Sequence, residues 1–144
     1  MAEADTGVLI PVRRWQRLHR MRNHLDLLVW RKTRDLAVTV YRLTASFPRE
    51  ERFTLVPQLR RAAVSVMSNV AEGAARRSDR EFARFLDIAL GSASELDAQL
   101  DLSAILGFID EVTARRAVED LVEVKKMLAG LLASVLRRAG TTRT

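Results

Sequence analysis

Cysteine is absent from this chain, and histidine occurs twice. Without cysteine there are no disulfides, thiol nucleophiles or thiolate metal sites, which fits a reducing compartment. His19 and His24 stand five apart. That spacing misses the i, i+4 pair of a helical metal site and leaves two solvated polar residues. Proline is confined to Pro11, Pro48 and Pro57, and there are six glycines in 144 residues. From Gln58 to the end only isolated glycines interrupt helical spacing, which predicts an all-α protein. No apolar run approaches the roughly 20 residues that a bilayer requires, and the start has no apolar segment behind a basic one. No membrane association is expected, and the cytoplasm is the expected location.

Charge is present in quantity. The net charge is +6, and 21 of the 24 basic residues are arginine. Arginine matches phosphate oxygens in a bidentate geometry that lysine lacks; a G+C-rich genome would raise the same ratio. Residues 1–24 read as a basic N-terminal extension. Arg13, Arg14, Arg17 and Arg20 fall there with no acid among them and one aromatic, Trp15. This segment is either a basic helical arm or a disordered tail.

Four amphipathic stretches follow, predicting a helical domain over 25–139 and a frayed tail over 140–144. Helix 1 is expected from about Leu25 to Ala45, with Leu25, Leu28 or Val29, Leu36, Val40 and Leu43 inward. Phe47-Pro48 stops it, and residues 48–53 form a charged connection. Helix 2 starts near Thr54 as N-cap, with Pro57 in the first turn and Leu55, Leu59, Ala63, Val66 and Val70 as its apolar stripe. Arg76 and Arg77 are expected in its last turn. Ser78 and Glu81 form a capping box for helix 3, whose seam of Phe82, Leu86, Ala89, Ala93, Leu96 and Leu100 is of heptad type. Gly107 closes it. Asp110 caps helix 4, whose seam runs from Ala114 to Val135. Short connections make sequential helices neighbours, so the expected fold is an antiparallel up-down-up-down four-helix bundle.

Two features of this pattern carry no obvious stabilising role. On helix 2, Arg61, Ser65, Ser68 and Glu72 share one stripe, with Asn69 at its border. Arg61 and Glu72 stand about 16 Å apart along the axis, too far to pair with each other, so a neighbouring helix or a second copy could supply their partners. The stripe is read as a packing surface within or between subunits. The second feature is a knot of Arg76, Arg77, Arg80 and Arg84 around the turn between helices 2 and 3. Arg80 and Arg84 repel at i, i+4 at a helix start that prefers acids. Residues 85–101 hold Asp87, Glu95, Asp97 and Asp101 and no base. Helix 3 is thus charged against its own dipole, as a phosphate-binding surface would require. Glu72 to Arg76 is a ready ion pair that neutralises part of the knot. No phosphate-cradling, metalloprotease or nucleophile-elbow motif occurs, and no histidine lies in the helical region. No catalytic residue, metal or cofactor is expected.

Several residues also fall in a familiar order: Gln58, Arg60 to Ala63, Ser65, Asn69, Ala71-Glu72-Gly73, Phe82, Phe85-Leu86, Ala89, Gly91-Ser92 and Glu95-Leu96. Over roughly residues 26–135 the chain resembles the four-helix-bundle family encoded in intervening sequences of bacterial 23S rRNA genes. It departs from that family at Met67, where proline is common, so helix 2 is expected to be straighter here. The resemblance implies a homopentameric ring. It extends to the accessory variability protein of diversity-generating retroelements, which binds a reverse transcriptase and nucleic acid. The combined expectation is a non-enzymatic oligomeric scaffold that binds the backbone of RNA, or of DNA. Arg76, Arg77, Arg80 and Arg84 would act with Arg13, Arg14, Arg17 and Arg20 on phosphates, while Arg61, Ser65, Asn69, Glu72 and Gly73 pack the helices or subunits. The alternative is a protein-interaction adaptor, for instance for a reverse transcriptase.

Overall fold

The computed structural model describes residues 23–141. Four α-helices and no strand occur among them: α1 (His24–Thr44), α2 (Leu55–Ala74), α3 (Asp79–Ile105) and α4 (Glu111–Thr141). The basic extension, except His24 and the cap residue Asn23, and residues 142–144 lie outside the described residues. No described helix is long and apolar enough to cross a membrane.

The chain starts and stops these helices with side-chain chemistry. Asn23 Oδ1 accepts from the Asp26 N–H at 3.0 Å, so α1 begins one residue before the expected Leu25. Ser78 Oγ accepts from the Glu81 N–H at 3.2 Å, as the capping-box spacing predicted. The Glu81 carboxylate, however, accepts from the Ser78 hydroxyl at 3.3 Å rather than from its backbone. Gly107 takes φ +77°, the left-handed conformation that ends α3 without steric cost.

Thr54 precedes α2 but does not cap it with its side chain. The residues expected as a plain connection coil into a 3-10 helix, Arg49–Phe53, and the Thr54 hydroxyl donates to Glu51 Oε2 at 2.6 Å within it. At the far end α4 continues through Gly140 to Thr141, past the expected onset of fraying. The Thr141 hydroxyl donates there to the Arg137 carbonyl at 2.9 Å.

Asp110 caps α4. Its Oδ1 accepts from the Thr113 N–H at 2.8 Å and its Oδ2 from the Thr113 hydroxyl at 2.7 Å. The Thr113 backbone N–H, followed by its hydroxyl, holds the Asp110 carboxyl below the ordinary aspartate value. A lowered folded value stabilises the protein at neutral pH and is lost as pH falls through it. Asp110→Ala should therefore melt below the wild type at pH 7. The gap should begin to close below about pH 4. A gap that stays constant into acid would remove the carboxylate cap from this account.

The core is one cluster drawn from all four helices. Every expected inward residue of α2, α3 and α4 is buried. On α1, Val29 faces in, while Leu25 and Leu28, three residues apart on one face, are 44% and 41% exposed. Helix pairs meet in ordered steps. Against α2, residues 61, 65 and 73 meet 95, 92 and then 85 and 82 of α3. Against α3, residues 97 and 79 meet 125 and 138 of α4. Thr44 of α1 accepts from Arg60 Nε of α2 at 3.0 Å, and Lys32 of α1 pairs with Glu123 of α4 at 3.3 Å.

Candidate nucleic-acid interface

Of the small polar stripe of α2, Arg61 and Ser65 meet α3, whereas Ser68 is exposed beside the α1–α2 groove. Ser65 Oγ and Ser92 Oγ are 2.8 Å apart. Asn69 Nδ2 donates to the Ser65 carbonyl at 2.8 Å and to Ser65 Oγ at 3.1 Å. Arg61 reaches Glu95 Oε1 of α3 at 3.4 Å. Glu72 turns instead to its own helix and pairs with Arg76 Nη2 at 2.7 Å. Small side chains let α2 and α3 approach closely, and Ser65 Oγ and Asn69 Nδ2 each find a partner inside the chain. The closest approach is at Gly73, where a Cβ would lie 2.7 Å from Phe85 Cβ and 2.8 Å from Phe82 Cδ2.

That close approach sets the turn that follows. α2 ends at Ala74, so Arg76 and Arg77 lie just beyond it rather than in its last turn as expected. The Ala75 N–H already closes onto the Ala71 and Glu72 carbonyls. Arg80 is the second residue of α3, and Arg84 stands one turn later. The guanidinium groups of Arg76 and Arg84 both approach the Phe85 ring, at 4.9 and 5.8 Å from its centroid. The half-buried Phe85 thus helps to hold two of the four arginines over one ring.

The structure adds arginines that linear reading did not join to this knot. Arg138 Nη2 lies 3.6 Å from Asp79 Oδ1 at the start of α3, which brings the last turns of α4 to the α2–α3 turn. Arg137 is exposed on the same turn. The signal was the Arg-Arg pair late in α4 combined with the expected bundle topology, which returns that end to the knot. Arg77, Arg80, Arg84 and Arg137 make no ion pair among the described residues. Arg13, Arg14, Arg17 and Arg20 lie outside the described residues.

Half of the charge reversal along α3 is resolved by its neighbours. Glu95 faces Arg61 of α2, and Asp97 accepts from Lys125 Nζ of α4 at 3.0 Å. What remains unexplained by stability is the group at the start of the helix: Arg80, Arg84 and Asp87. A cleft of about 370 Å3 opens between α3 and α4 at that place, lined by Arg80, Arg84, Asp87, Leu136, Ala139 and Gly140. Among the described residues no group of three or more potential ligands could hold a metal ion.

The order of residues along α2 and α3 is matched by a family model. The model for 23S rRNA-intervening sequence proteins covers residues 25–130, most of the chain. The chain belongs to that family. Its fold is similar to that of a Bacteroides thetaiotaomicron protein of unknown function from the S23 ribosomal protein family. The TM-score is 0.70 at 24% identity, over 76% of this chain and 98% of that one. Among curated proteins, none matches the sequence. The intervening-sequence family domain thus comprises all of α1 to α3 apart from its first residue, and most of α4; the basic extension precedes it.

Proposed function

We propose that this intervening-sequence protein is a non-enzymatic, nucleic-acid-binding scaffold whose arginine-rich end grips the phosphates of structured RNA. The observation that carries the reading is the convergence of Arg77, Arg80, Arg84 and Arg137 on one end of the helices without ion-pair partners among the described residues. Exposed surface arginines in such number repel one another, and Arg80 also opposes the α3 dipole. Phosphate oxygens relieve both costs. The basic segment 1–22 enters the chain at Asn23, immediately before α1, and supplies Arg13, Arg14, Arg17 and Arg20 as further contacts.

The architecture we propose is an antiparallel up-down-up-down bundle. Partner residues of α2 and α3, and of α3 and α4, run in opposite order, which supports it. Self-association, with a pentameric ring as the family expectation, belongs to the same reading. An apolar groove of about 490 Å3 lies between α1 and α2, floored by Trp30, Ala37, Val38, Tyr41, Val64 and Met67 and rimmed by Arg34 and Arg42. Leu102 and Ile105 are exposed apolar residues near the end of α3, and Ile88 is a separate one near its start. Several copies would multiply weak phosphate contacts into firm ones. The groove also favours the second reading, a cytoplasmic adaptor that docks a protein partner such as a reverse transcriptase.

Fluorescence anisotropy of a labelled RNA hairpin against the full chain tests the proposal, with sedimentation to give the stoichiometry. Engagement of 6–10 phosphates should weaken binding on the order of a thousandfold or more between 50 and 200 mM salt. A folded protein that binds no RNA at low salt would transfer the proposal to the protein-adaptor reading.

A further inference from the structure

The cleft between the start of α3 and the end of α4 contains a group that phosphate binding does not call for. Arg80, Arg84 and Asp87 occupy one face of α3, at i, i+4 and i+7, and all three line the cleft. None of the three makes an ion pair with a described residue. A carboxylate placed among arginines that serve only phosphates would weaken them. It becomes useful when the ligand brings hydrogen-bond donors as well as an anion.

The remaining walls suit such a ligand. Leu136 is 53% exposed, and Ala139 and Gly140 keep the α4 side shallow and apolar. A Cβ at Gly140 would meet nothing within 4 Å among the described residues, so none of these closes the opening. The volume of about 370 Å3 lies within the range of sites for small molecules, which are largely apolar with a few placed polar groups. An unstacked nucleobase has that composition: an apolar face, a polar edge and a phosphate attached.

We infer that this cleft takes a single unpaired guanine of the bound RNA, with Asp87 accepting from its Watson–Crick edge and Arg80 and Arg84 holding the adjoining phosphates. This rests on the RNA reading above and gives it a base preference. The chemistry selects guanine because its N1–H and N2 amino group are adjacent donors that match the two oxygens of one carboxylate. Adenine and cytosine set a donor beside an acceptor on that edge, and uracil flanks its one donor with acceptors. A carboxylate repels those acceptor positions. Single-stranded loops and ends are where such edges are free to be read.

The test uses the full chain and labelled single-stranded uridine oligonucleotides that carry one central guanosine, inosine or adenosine. Inosine keeps N1–H and lacks the amino group, so it removes one of the two donors. The guanosine strand should bind on the order of tenfold more tightly than the adenosine strand, with inosine between. Asp87→Asn should bring the three affinities together while the common affinity is kept or raised, since a negative charge leaves a basic surface. Equal affinities for the wild type, or a guanosine preference that survives Asp87→Asn, would overturn the inference and leave the phosphate-binding reading standing. Failure to bind any of these strands or the hairpin would overturn both.

Discussion

Replacing Arg77, Arg80, Arg84 and Arg137 together with glutamine is expected to lower RNA affinity on the order of a hundredfold or more at moderate salt, and to reduce the salt slope by about one unit for each phosphate that is no longer engaged. The four side chains are exposed and make no ion pair among the described residues, so their removal breaks no ion pair there and gives up only the place of Arg84 over the Phe85 ring. Glutamine is close to arginine in helix propensity. Removal of Arg80 and Arg84 also relieves a like-charge i, i+4 pair at a positive helix end, which should raise stability by a few tenths of a kcal/mol. Affinity and melting temperature should therefore move in opposite directions. An unchanged affinity and slope in a folded variant would dismiss this end of the molecule as the interface. Arg76 is kept in this experiment because it pairs with Glu72 at 2.7 Å, so its removal would mix structural with binding effects.

The second large effect is at a glycine. Gly73→Ala is expected to destabilise the protein although alanine is the better helix former by about 1 kcal/mol. The new Cβ would stand 2.7 Å from Phe85 Cβ, an atom fixed by the α3 backbone, and 2.8 Å from the fully buried Phe82 ring. Relief requires α2 and α3 to separate, and overpacking of this kind costs about 1–3 kcal/mol. Gly91 and Gly130 provide the control. They lie within helices, they are exposed, and an added Cβ there meets nothing within 4 Å. At those positions the same substitution should raise stability by up to about 1 kcal/mol. Thermal melts of the three variants check the sign. A Gly73→Ala protein as stable as Gly91→Ala would mean that the helices yield freely at their closest approach.

This glycine also sharpens what self-association would require. Arg61 and Ser65 are engaged with α3, and Asn69 with Ser65 of its own helix, while exposed apolar surface lies in the α1–α2 groove. Large uncovered apolar surface marks interaction sites more reliably than polar stripes do. An interface between copies is therefore better sought at the groove than at the stripe where the sequence pattern first placed it.

Secondary structure was legible because it depends on short-range rules. The spacing of apolar residues named the seam of α4 in full and most of the buried faces of α2 and α3, missing Val56, Ala62, Ala74, Ala83 and Ser103. Ser78, Gly107 and Asp110 marked helix ends through bonds made within three or four residues. Thr54 misled because its hydroxyl had a nearer competitor in Glu51, and Leu25 because it lies on the outward face of α1 with Leu28. Family membership was legible for a related reason: the ordered residues that carry it specify helix packing as well as identity.

The tertiary structure alone decided which charges are spent and which are free. Arg61 and Glu95 are 34 positions apart, and Lys125 and Asp97 are 28 apart; only packing makes these pairs. The same packing brought the end of α4 against the start of α3, so that an arginine knot read from one turn became a surface drawn from two, with a cleft and a carboxylate inside it. Helical periodicity determines which face of each helix is buried. It carries no information about which neighbour covers that face, and the charge balance of this protein depends on the neighbour.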